Sequence, residues 1–96
     1  MQQTERKPLF DLGSLVSTPG ALSALAKSGQ TPLDFLSRHI TGDWGDLCAE
    51  DVAENELSVR EGFRILSSYT LPDGTKLWII TEADRAVTTL LLPEEY

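Results

Sequence analysis

The chain is poor in the side chains from which most reactive sites are assembled, with one histidine and one cysteine in 96 residues. A single thiol closes no internal disulfide and completes no paired-cysteine metal motif. Basic residues are also scarce: eight against fifteen acidic ones leave a formal net charge of -7. Binding to a phosphate backbone relies on Lys and Arg displacing condensed counterions, so direct contact with DNA or RNA is not expected. No apolar run approaches the roughly 18 residues that a membrane helix needs. The opening Met-Gln-Gln-Thr-Glu-Arg-Lys-Pro has no apolar signal-peptide core behind its positive charges. No membrane is expected as a partner, and the cytoplasm is the expected compartment.

What is present describes one domain, residues 1–96, with 41% hydrophobic and 24% charged residues, as in an ordinary globular protein. At this size one core is adequate without being generous, and little apolar surface is left for a deep pocket. Residues 1–8 are polar, end at Pro8, and read as a flexible arm. From Leu9 to Ser17 the apolar pattern is mixed: Gly13 argues against a long helix, and Leu15-Val16 allows a short strand. Thr18-Pro19 and Thr31-Pro32 are both helix starts, because a threonine hydroxyl can accept an orphan amide and proline has none to lose at the first helical position. Leu22, Leu25 and Ala26 share a face of the first helix. Leu33, Leu36 and Ile40 form a stripe on the second, with Phe35 and His39 stacked beside it. A third helix is expected over Leu47 to Ser58, started by Asp46, with Ala49, Val52, Ala53 and Leu57 inward.

From Gly62 the period changes to two. Phe63, Ile65, Ser67 and Tyr69 alternate with Arg64, Leu66, Ser68 and Thr70; Leu71 to Thr75 supplies a turn; Lys76 to Glu82 and Arg85 to Leu92 return as further strands. The expected fold is α+β, a three-stranded antiparallel β-meander in the C-terminal half packed against about three short helices from the N-terminal half.

The segment from His39 to Asp51 joins the two halves and gathers the only histidine, the only cysteine and one of two tryptophans. His39, Asp43, Asp46, Cys48 and Asp51 have zinc-ligand chemistry, but their spacing matches no ligand pattern, and neither a metal nor a cofactor is expected. His39 held by Asp43 or Asp46 could serve as a general base in a small metal-independent hydrolase or nuclease. The structural alternative packs His39 at its helix end, where a charged imidazole suits the dipole, while Trp44 anchors the loop and Asp43 and Asp46 cap backbone amides. Arg85, beside Asp84 and Glu82, reads as a solvated ion pair.

Phe35-Leu36-Ser37-Arg38-His39, Gly42-Asp43-Trp44-Gly45-Asp46-Leu47, Asn55-Glu56-Leu57, Gly62 to Ser67 and Trp78 to Arg85 carry a resemblance, over residues 9–96, to a family of small uncharacterised bacterial proteins of plasmids and genomic islands. Its members are sometimes labelled a methylase subunit of a type I restriction-modification system. A methyltransferase needs a cofactor-binding α/β domain with a glycine-rich turn after its first strand, which this chain lacks. The resemblance implies a mobile-element setting, where small acidic proteins act by occluding host proteins.

These readings converge on a non-enzymatic, acidic protein-interaction module. Its expected partner carries a basic surface, and its expected binding residues are Asp43, Trp44, Asp46, Glu50, Asp51, Glu54 and Trp78. A homodimer formed by edge pairing of the last strand is a further expectation.

Overall fold

A computed structural model describes residues 7–96. The chain runs β1 (Ser14–Ser17), α1 (Pro19–Lys27), α2 (Pro32–Ile40), α3 (Ala49–Glu61), β2 (Ile65–Thr70), β3 (Lys76–Thr81), β4 (Val87–Leu91), and ends in a single 3-10 turn, Pro93–Glu95. Most of the expected arm lies outside the described residues.

Both threonine–proline steps start helices. The Thr18 hydroxyl accepts from the Ala21 amide at 3.1 Å, and the Thr31 amide donates to the Asp34 carboxylate at 2.8 Å, which satisfies orphan groups at each end. The inward faces differ from the expected stripes. α1 buries Ala21 and Leu25 while Leu22 is exposed, and α2 buries Phe35, Leu36 and His39 while Leu33 points outward. α3 begins after Cys48 instead of Asp46, and its inward side is Asn55 and Ser58; Ala49 and Ala53 are exposed. A helix chosen for hydrogen bonding does not follow an apolar stripe.

Among the described residues the sheet is four-stranded and mixed, in the order β1-β4-β3-β2, and not the three-stranded antiparallel meander expected. β2, β3 and β4 form the antiparallel part, while β1 joins parallel to β4 with Ser14 opposite Val87 and Ser17 opposite Leu90. The N-terminal half therefore contributes a strand as well as helices. Gly13 makes this possible. It takes φ +68°, and a Cβ there would lie 2.3 Å from the Ala86 carbonyl oxygen, so only glycine lets the chain turn this closely onto the β3–β4 connection. β4 lies between β1 and β3, so the last strand has no free edge and the dimer expected through it is excluded.

Strand alternation gives the sheet two unlike faces. On one, Tyr69, Leu77, Ile79 and Leu90 pack with Ala21, Leu25, Phe35 and Leu36 of α1 and α2, forming the core. α3 contributes nothing to that core. It runs instead beside the outer edge of β2, where the Asn55 carboxamide bonds both backbone groups of Leu66: Nδ2 donates to the carbonyl at 2.7 Å and Oδ1 accepts from the amide at 3.2 Å. Farther along the same edge, the Ser68 amide donates to the Trp44 carbonyl and the Asp46 amide donates to the Ser68 carbonyl. Gly45 carries φ +77° between them, and a Cβ would stand 2.0 Å from the Ser68 oxygen. The chain thus closes one edge of its own sheet with a side chain and a loop.

Arg85 fixes the far end of α3 and corrects the expected solvated ion pair. It adopts a left-handed conformation (φ 61°) and donates to the carbonyls of Ser58, Phe63, Glu82 and Ala83. One guanidinium joins the last turn of α3 to the β3–β4 reversal, and its positive charge suits a helix C-terminus.

Asn55→Leu keeps the branched shape of the side chain but removes its donor and acceptor, which leaves the Leu66 amide and carbonyl unpaired. The expected loss is about 2 kcal/mol or more, read as a lower urea midpoint with unchanged slope. An unchanged midpoint would contradict the closed edge.

Candidate functional site

The structure separates the expected site residues into two groups. The loop between α2 and α3 is a structural joint. Asp43 pairs with Arg38 through two contacts, 2.8 Å to Nε and 3.3 Å to Nη2, and its Oδ1 accepts from the Gly45 amide at 3.2 Å. That hydrogen bond holds the Arg38 guanidinium above its ordinary pKa. Asp46 accepts from the Thr70 hydroxyl and stands 3.6 Å from Lys76; the hydroxyl first and then the ammonium lower its pKa. Tyr69 donates to the Asp43 carbonyl at 2.6 Å, and burial pushes its own pKa up to about 12. Trp44 is buried, 3% exposed, with its ring against His39 and Phe10.

His39 has no accessible surface. Its Nδ1 meets Ser67 Oγ at 2.5 Å and its Nε2 meets Thr81 Oγ1 at 2.9 Å. Thr81 Oγ1 lies 2.7 Å from Thr88 Oγ1, which donates to the Leu12 carbonyl at 2.7 Å. Each hydroxyl has one proton, so this chain has one direction. Thr88 gives its proton to Leu12, Thr81 gives to Thr88, and Thr81 must then accept from His39. The imidazole is therefore protonated on Nε2, and its Nδ1 accepts from Ser67. Burial lowers its pKa from 6.5 to about 3. Desolvation outweighs the helix dipole that favoured a charged ring.

This arrangement removes the catalytic reading of His39 with Asp43 and Asp46. A general base must come within hydrogen-bond reach of a substrate proton. Here both ring nitrogens already serve hydroxyls of the sheet, and Phe10 and Trp44 cover the ring edge-on. Cys48 is exposed, whereas the His39 ring is fully buried. Among the described residues no group of three or more His, Cys, Asp or Glu is arranged to hold a metal ion.

The second group comes together where α3 faces the side of the sheet opposite the core. Asp51, Glu54, Asn55 and Ser58 of α3, with Leu47 before it, form one wall of an open cleft of about 400 Å³; Leu66, Trp78 and Arg64 form the other. Asp51, Glu54 and Trp78, three of the expected binding residues, meet here although β3 lies far from α3 in sequence. Glu50 is exposed on the first turn of α3 and does not line the cleft. Trp78 is half-buried, with the Tyr96 ring edge-on at 5.8 Å, and Arg64 donates to the Tyr96 hydroxyl while lying over its ring. Two carboxylates on a helix, the Arg64 guanidinium and an indole thus share the lining of one cleft.

Sequence reading missed Leu47, Asn55, Ser58, Arg64 and Leu66 as cleft residues, and Ser67, Thr81 and Thr88 as partners of His39. A signal existed for the second set: Ser67 falls in register with Ile65 and Tyr69 on the buried face, and a polar residue at an inward position must find a partner. Comparison with known protein families, with curated proteins and with solved structures gives no match.

The His39 geometry fixes a pH dependence. The unfolded chain binds a proton at this histidine near pH 6.5 and the folded chain only near pH 3. Stability from this group is therefore complete above about pH 6.5 and is lost as the pH falls towards 3, by up to about 1.4 kcal/mol per pH unit. The carboxylates with lowered pKa titrate below their ordinary range, so the urea midpoint between pH 6.5 and 5 reports mainly His39. A flat midpoint there, or an imidazole titrating near 6.5 by NMR, would contradict the buried neutral ring.

Proposed function

We propose that this chain is a non-enzymatic protein-interaction module whose docking site is the cleft between α3 and the outer face of the sheet, and whose partner presents a basic side chain. The observation that carries this reading is the meeting of Asp51 and Glu54 with Trp78 in one open cleft. A lysine or arginine entering it would run its methylene stem along Leu47 and Leu66, set its charge between the two carboxylates, and face the indole. The net charge of -7 would steer such a partner inward. Burial of His39 supports a binding role over a hydrolytic one.

The acidic loop residues take a different part from the one their charge suggests. Asp43 and Asp46 are engaged in holding α2, β2 and β3 together, so the proposed contact surface shrinks to Asp51, Glu54 and Trp78, with Glu50 at its margin. Among the described residues no helix is long and apolar enough to cross a membrane, and the proposed setting is the cytoplasm. The resemblance to proteins of plasmids and genomic islands suggests a role in plasmid maintenance or in the contest between mobile elements and host defence, by occlusion of a host protein.

An arginine-rich peptide titrated into labelled protein tests the site. The expected result is shifts confined to Leu47, Asp51, Glu54, Leu66 and the Trp78 side chain, with affinity falling about tenfold or more in Asp51→Lys/Glu54→Lys. Asp84→Lys, a charge change elsewhere on the surface, should leave binding within about twofold, allowing for long-range screening. Shifts spread over all acidic residues, or equal losses in the two variants, would overturn the reading.

A further inference from the structure

Among the described residues, the sheet has one edge closed by its own chain and one left open. β1 is the open one. The Ser14 amide bonds the Ala86 carbonyl and the Thr18 amide bonds the Leu90 carbonyl, so the backbone of Ser14 and Thr18 faces β4. By strand alternation the amides and carbonyls of Leu15 and Ser17 face away from it. Leu15 and Val16 are 53% and 47% exposed, and Leu22, on the helix that follows directly, is 49% exposed. No charged residue occurs from Leu12 to Ala26, in a chain that is 24% charged overall. Natural edge strands are commonly guarded by charge or proline, and β1 has neither within it.

We propose that β1 is a self-association edge, to which a second copy of this chain adds its own β1, antiparallel, about a two-fold axis through Val16. Three observations favour a second copy as the occupant. Two chains of net charge -7 repel wherever their charged surfaces meet, and the uncharged segment offers a place where they approach without doing so. The register is self-complementary. With Val16 opposite Val16 of the second copy, Leu15 stands opposite Ser17 and Ser17 opposite Leu15, so every outward amide and carbonyl of the two strands pairs, giving four main-chain hydrogen bonds. The two valines then form a close non-hydrogen-bonded pair on one face. Finally, β2 is already closed by Asn55 and the Trp44–Asp46 loop, so the pairing ends at two strands instead of growing into a fibre. The contact is small, which places the dimer among weak interfaces.

Sedimentation equilibrium from about 10 μM to about 1 mM, the range of weak interfaces, tests this together with amide hydrogen exchange at the two ends of that range. The expected result is a mass rising from 10.6 kDa towards twice that value, with Leu15 and Ser17 amides protected only at high concentration and the Ser14 and Thr18 amides protected throughout. Val16→Lys sets two ammonium groups face to face and should raise the dissociation constant about tenfold or more. Leu15→Pro, which removes an outward amide and none that faces β4, should act in the same direction and provides the test if the lysine variant does not fold. A monomer at every concentration overturns the proposal. So does a dimer that survives both variants, or one in which Leu15 and Ser17 exchange freely.

Discussion

The outer edge of β2 presents backbone amides and carbonyls that must be paired or left to water, and most of the molecule is arranged around pairing them. Asn55 supplies a carboxamide with a donor and an acceptor at the spacing of a backbone residue, and bonds Leu66 as a strand would. The Trp44–Asp46 main chain does the same for Ser68. Because the closing elements are a helix and a glycine-bearing loop, and not another strand, α3 is drawn away from the core and set beside the sheet. The cleft is the space this leaves.

A second consequence falls on the interior. With α3 absent from the core, α1 and α2 cover the other face together with Phe10, Leu12 and Trp44, and beyond the apolar contact His39 of α2 meets the sheet residues Ser67, Thr81 and Thr88. These polar groups are tolerated because they form a single directed chain ending on the Leu12 carbonyl, just before the turn into β1. A fully satisfied buried network favours one arrangement, since any slip of register leaves a donor without an acceptor. The histidine that reads as a reactive group in sequence is the centre of this structural chain.

The local rules were legible in the residues: both threonine–proline helix starts, the change to period two after Gly62, and the α+β class. The fourth strand was harder to read, because Ser-Leu-Val-Ser is short and its place beside β4 depends on the close approach that Gly13 allows to Ala86. The inward side of α3 was not legible from apolar periodicity, since its buried residues are Asn55 and Ser58. Of the expected binding residues, Asp51, Glu54 and Trp78 come together. Asp43, Trp44 and Asp46 were chosen for charge and aromaticity, which do not distinguish a contact surface from a braced joint.

Closure of the β2 edge by its own chain sets the third helix beside the sheet and leaves the cleft between them. Amide hydrogen exchange at Leu66 and Ser68 tests it most directly. Both amides should exchange only through global unfolding, with the same protection free energy as Ile79 in the centre of the sheet. Rapid exchange at Leu66 and Ser68 while Ile79 stays protected would show that the edge opens by itself, and would contradict it.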